Sequence, residues 1–115
     1  MKIAICGSMV FATKMMEVRD FLTTAGQEVV LPANVDKYAN NEMTVENKWE
    51  KLELDVIKRY YNEIRQADAI LVVNESKNGT ENYVGGNSLI EMAFAHVLDK
   101  KNFFTQFDSY WDELC

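Results

Sequence analysis

Three short apolar runs constrain this chain more than any other feature. They are KIAIC at residues 2–6, EVVL at 28–31 and AILVV at 69–73, closed by Gly7, Pro32 and Asn74. Runs of this length with such ends read as buried strands. Helical spacing fills the intervals. Residues 10–25 put Met15, Val18, Phe21, Leu22 and Ala25 on one face, and Gly26 stands where a helix C-terminal glycine belongs. Residues 45–66 carry Val45, Trp49, Leu52, Val56, Tyr60 and Ile64 three or four apart. A third helix is predicted at about 88–99, a fourth strand at KNFFTQF (101–107) and a short helix in the tail DSYWDELC. Residues 33–44 and 74–87 have no period and read as loops. Strands that alternate with helices predict a parallel sheet, because a parallel connection needs a crossover. The expectation is one α/β domain over residues 1–115. It would be a flavodoxin-like, Rossmann-like parallel sheet of four to five strands, with helices on both faces and right-handed crossovers.

Composition narrows the function. A chain of 115 residues, 48% of them hydrophobic, is one domain with a real core. Its net charge of -6 argues against nucleic acid polymers, whose phosphates call for clustered Lys and Arg. No run of 18 apolar residues is present, so no membrane span is expected. The N-terminal apolar stretch is too short for a signal peptide. Cys6 and Cys115 lie at opposite ends of the sequence, which fits reduced thiols and a cytoplasmic setting. Without a secretory signal, the NGT at Asn78 is a chance sequon. No His/Cys cluster has ligand spacing, so no metal is expected. Neither a GxGxxG nor a GxxxxGK[ST] motif occurs, and no cofactor is expected.

In an open parallel sheet the ligand crevice lies beyond the carboxyl ends of the strands. That rule gathers residues 7–10, 32–44 and 74–88 at one rim. In CGSM, the strand ends at Gly7-Ser8 and turns into a helix whose N–H groups suit an anion. Ser8 is equally able to cap that helix. Cys6, Met9 and Phe11 flank this turn. In VGGNSLIEMAFAH, Gly85-Gly86 permits positive φ and close approach to a ligand. Asn87 or Ser88 then caps the next helix. Ser88-x-x-Glu91 matches a capping box, which would fold the carboxylate back on the Ser88 N–H. A carboxylate serving the preceding loop is the other reading of Glu91. His96, five residues on, is off that face and reads as structural. Tyr60, near the end of its helix, and Asn74, at the third strand's end, complete the candidates.

The segments IAICGSM, QADAILVVN and GGNSLIEMAFAHVLDKK, in that order and spacing, resemble the nucleoside 2-deoxyribosyltransferase-like superfamily, which includes the 2'-deoxynucleoside 5'-phosphate N-hydrolases. The resemblance runs from residue 2 to about residue 104. It implies a flavodoxin-like fold and cleavage or exchange of an N-glycosidic bond in a (deoxy)nucleoside or nucleoside 5'-monophosphate. It implies Glu91 as the nucleophile that traps the sugar. Substrate would be held by Cys6, Gly7, Ser8, Met9, Phe11, Tyr60, Asn74, Gly85, Gly86, Asn87 and Ser88. A homodimer is the implied assembly. Three positions depart from the family pattern. Phe11 is the aromatic near the first strand, where a Tyr is usual. Tyr60 stands where an Asp precedes Asp68 by eight residues. Gly85 stands six residues before Glu91, where an acid or hydroxyl is usual. Asn74, Asn82 and Tyr83 are the candidates to fill those roles. GGNSLIE is also similar to the PGGxGTxxE of cytokinin-activating phosphoribohydrolases, which act on ribonucleoside monophosphates. A third alternative is a non-catalytic nucleotide-binding module of the same fold.

Overall fold

The structure is a computed structural model that describes residues 1–41, 54–77, 79–81 and 83–106, the side chains of residues 54–56 excepted. In chain order the elements are β1 (Lys2–Gly7), α1 (Ala12–Thr24), β2 (Glu28–Val30), α2 (Val35–Ala39), α3 (Leu54–Gln66), β3 (Ala69–Val73), α4 (Gly86–Val97) and β4 (Lys101–Phe104). A 3-10 turn, Met9–Phe11, joins β1 to α1. The four strands are all parallel, in the order β2-β1-β3-β4. That is the flavodoxin-like order through its fourth strand, and the α/β expectation holds.

Strand alternation divides the core into two layers. Ala4, Cys6, Ile70 and Val72 face α3 and α4, packing on Tyr60, Ile64, Ala67 and Ala95. Ile5 and Val73 face the other way, onto Phe11, Ala12, Met15 and Val35. Gly7 belongs to this second layer. A Cβ there would stand 2.8 Å from the Met15 terminal methyl and 3.2 Å from the Val73 carbonyl oxygen. Close packing at the strand end therefore requires glycine.

Helix α1 ends as its sequence suggests. Gly26 takes φ 91°, Gly26 N–H donates to the Thr23 carbonyl and Gln27 N–H to the Leu22 carbonyl, each at 3.0 Å. This is a Schellman motif. Asp99 plays the same part after α4, at φ 58°. The first turn after β1 is 3-10, so α1 starts at Ala12 rather than at residue 10.

Three further boundaries differ from expectation. Residues 33–44 were expected as loop, yet α2 lies inside them. One turn is too short to show a period, and it forms because Val35 and Tyr38 pack on the Phe11 layer. Helix α4 begins at Gly86, two residues early, and ends at Val97. Strand β4 stops at Phe104; Thr105 N–H still donates to the Val72 carbonyl at 3.0 Å, and from there the side chains and backbone of residues 105–106 bind the end of β3. There, Asn74 Nδ2 donates to the Gln106 carbonyl at 2.9 Å, and Gln106 N–H donates to Asn74 Oδ1 at 2.8 Å. Val45, Trp49, Leu52, the Val56 side chain, Asn78, Asn82 and the tail from residue 107, with Cys115, lie outside the described residues.

Candidate functional site

The ladder between β1 and β2 stops at Ala4 and Val30, whereas β1 stays paired with β3 as far as Gly7 and Val73. The strands part at the carboxyl rim, and a cleft of about 790 Å³ opens there. The β1 turn contributes Gly7, Ser8 and Met9, and the diverging end of β2 contributes Val30 to Ala33. Tyr60 comes from α3, and Gly85 to Ser88 with Glu91 come from the start of α4.

Glu91 is not a capping residue. Gly85 occupies the N-cap position of α4, with no side-chain capping bond. Ser88 is the third residue of the helix and Glu91 the sixth, so no Ser88–Glu91 box forms. Instead, Glu91 lies in the second turn and faces the cleft. Among the described residues, no hydrogen bond or cation reaches its carboxyl. Burial pushes that carboxyl from 4.5 up to about 8. Two neighbours share its surroundings. Burial raises the Cys6 thiol, and the nearby Glu91 charge raises it further. Burial also raises the Tyr60 hydroxyl, with Cys6, Glu91 and Glu63 adding to the effect.

The candidates divide cleanly by position. Gly7, Ser8, Met9, Tyr60, Gly85, Gly86, Asn87, Ser88 and Glu91 line the cleft, whereas Cys6, Phe11 and Asn74 do not. Cys6 is fully buried in the layer beneath. Phe11 packs in the core edge-on to Tyr83, with ring centroids 6.3 Å apart. The Asn74 amide is committed to fastening β4 to β3. Gly85 and Gly86 are present, but neither takes a positive φ. At Gly86 an added Cβ would meet no atom within 4 Å, so packing does not require glycine there.

Other lining groups were not singled out from sequence: Tyr38, Arg59, Glu63 and Lys77. Arg59 and Glu63 resemble the ordinary solvent face of an amphipathic helix. Lys77 sits in the loop before α4, its Nζ 4.5 Å from the centroid of the Tyr83 ring. That loop is ordered by a bridge between Lys77 and Thr80, and by the Tyr83 N–H donating to the Glu75 carbonyl at 3.1 Å. Among the described residues, no group of His, Cys, Asp and Glu could hold a metal ion. None of the described helices is long and apolar enough to cross a membrane.

Chemically, the cleft offers the Glu91 carboxyl in an apolar wall, tyrosine side chains, two cations in Arg59 and Lys77, and a second acidic group in Glu63. Neither the family models nor the curated proteins compared with this chain give a match.

Proposed function

We propose that this protein cleaves or exchanges the N-glycosidic bond of a (deoxy)nucleoside or nucleoside 5'-monophosphate, with Glu91 as the nucleophile. The observation that carries this reading is the half-buried Glu91 carboxyl, unpartnered among the described residues, on the wall of a cleft at the carboxyl rim of a parallel sheet. Loss of the base leaves an oxocarbenium-like centre at C1' of the sugar. A carboxylate beside it bonds to C1' as the C1'–N bond breaks and the electron pair leaves with the base. The departing base takes up a proton. Water then attacks C1' and loses a proton to solvent, which balances the proton the base took from solvent, while the C1'–ester bond breaks with its electron pair returning to the Glu91 carboxylate. A second base in place of water gives transfer. Tyr38 and Tyr83 offer faces for a nucleobase, and Arg59 and Lys77 suit a 5'-phosphate.

The deciding experiment is chromatography of free base. Purified protein is incubated with ribo- and deoxyribonucleosides and their 5'-monophosphates, beside Glu91→Ala. Base release by the wild type that falls at least about 10³-fold in the variant supports the reading. Tight stoichiometric binding with no release would replace it with a binding module. One feature favours that second reading: burial raises the Glu91 carboxyl to about 8, which favours its neutral form, able to donate a hydrogen bond, at pH 7.

A further inference from the structure

The parting of β1 and β2 leaves a specific loose end. Glu28 N–H donates to the Met1 carbonyl at 3.1 Å, and Ile3 pairs with Val29. A parallel ladder repeats every two residues, so the carbonyls of residues 1, 3 and 5 look to the N–H groups of residues 28, 30 and 32. Residue 32 is Pro, which has no N–H. The Ile5 carbonyl thus loses its ladder donor in a buried position, where an unpaired carbonyl is unfavourable. The Tyr60 hydroxyl, reaching down from α3, donates to it instead. The same hydroxyl lies 3.4 Å from the Val30 carbonyl oxygen, on the other side of the gap.

We propose that Tyr60 is a positioning residue: its hydroxyl replaces the donor missing at Pro32, closes the gap between β1 and β2, and keeps water away from the floor beside Glu91. The inference builds on Glu91 as the reacting group of the site. Tyr60 touches the reaction only through that floor. Its hydroxyl is engaged by backbone and does not donate to Glu91. This explains how a tyrosine can stand in this wall without substituting for an acid.

Among the described residues, titratable groups surround the Tyr60–Glu91 pair: Cys6 and Tyr60 feel the Glu91 charge, and Glu63 acts on Tyr60. Cys6 comes from β1, and Tyr60 and Glu63 come from α3. Arg59, Lys77 and Tyr38 line the same cleft. None of the six changes in Tyr60→Phe except Tyr60 itself, so a changed Glu91 titration in that variant reports the lost hydroxyl.

The test is a carbon-13 NMR titration of the side-chain carboxyls in the ligand-free protein, with Glu91 assigned by Glu91→Gln. Tyr60→Phe leaves the Ile5 carbonyl to water, and that water solvates the carboxylate. The Glu91 midpoint is expected to fall by about one pH unit or more. Adding Pro32→Ala, which restores an N–H to the ladder, is expected to bring the midpoint back towards the wild-type value. An unchanged midpoint in Tyr60→Phe overturns the proposal and leaves Tyr60 as ordinary core. The unaltered protein gives a second readout that does not depend on the variant folding. The Tyr60 hydroxyl proton should exchange slowly with solvent, and exchange as fast as that of an exposed tyrosine overturns the proposal. No substrate enters either measurement. A shifted midpoint without base release would therefore reject the proposed reaction and keep this inference.

Discussion

Replacing Glu91 by Gln should stabilise the protein, and by an amount that depends on pH. In the unfolded chain this carboxyl ionises near 4.5, whereas in the fold it holds its proton up to about 8. Between those values the folded state binds more protons than the unfolded one, so stability falls as pH rises. It is greatest below 4.5 and has fallen to its lower plateau above about 8. Each pH unit in the window removes about 1.4 kcal/mol, or roughly 3 kcal/mol by pH 7 for a fully sequestered group. Water in the open cleft screens part of this, which brings the amount to about 2 kcal/mol. Gln keeps the shape and cannot ionise. Urea denaturation of wild type and Glu91→Gln at half-unit steps from about pH 5 to pH 9 measures the difference, and groups common to both cancel. Gln should be ahead by only about 0.5 kcal/mol at pH 5 and by about 2 kcal/mol at pH 7. A difference that is flat with pH would refute the reasoning. So would a variant that is less stable throughout, as loss of a capping carboxylate would make it.

Four further outcomes are expected. Base release, if Glu91 must be ionised to attack, should rise with pH to a plateau with its midpoint near 8, and a falling profile would mean that Glu91 acts as an acid instead. Gly7→Ala should destabilise by about 1–3 kcal/mol in urea, since the new Cβ meets the Met15 methyl and the Val73 carbonyl oxygen. Asn102→Val should stabilise by about 1 kcal/mol, because Asn102 Oδ1 is buried with no hydrogen-bond partner among the described residues. Asp99→Gly should raise stability by about 0.5–1 kcal/mol in thermal melts, because residue 99 follows α4 at φ 58°, a conformation that glycine adopts without strain.

The strands were legible because a buried parallel strand is a short apolar run, and Gly7, Pro32 and Asn74 mark the run ends. Helix α2 was not, since one turn anchored by Val35 and Tyr38 leaves no periodic trace. The start of α4 was misplaced by Ser88, which looks like a cap in sequence but follows a helix already begun at Gly86. The cleft was legible in its turns and in Glu91. It was not legible in Arg59, which has the spacing of any solvent-facing helix residue. Asn74 shows the same limit from the other side. A polar residue at a strand end suits a ligand or a latch equally, and its partners Thr105 and Gln106 lie 31 and 32 residues away. Tyr60 has the spacing of a core residue. Its work on the Ile5 carbonyl appears only when strand register and the place of Pro32 are considered together.

The position of that proline also sets how deep the cleft can be. Of residues 31–33 only Leu31 touches the core, as a partly buried side chain at the edge of the second layer, so moving the point at which β2 leaves the sheet disturbs the interior at that one side chain. Two residues later, the ladder would extend to Ile5 and the recess would be shallower; two residues earlier, more of β1 would be bared. Pocket depth is thus an adjustable dimension of this fold, set by the position of a single imino acid and open to redesign for smaller or larger ligands with repacking confined to the contact that Leu31 makes.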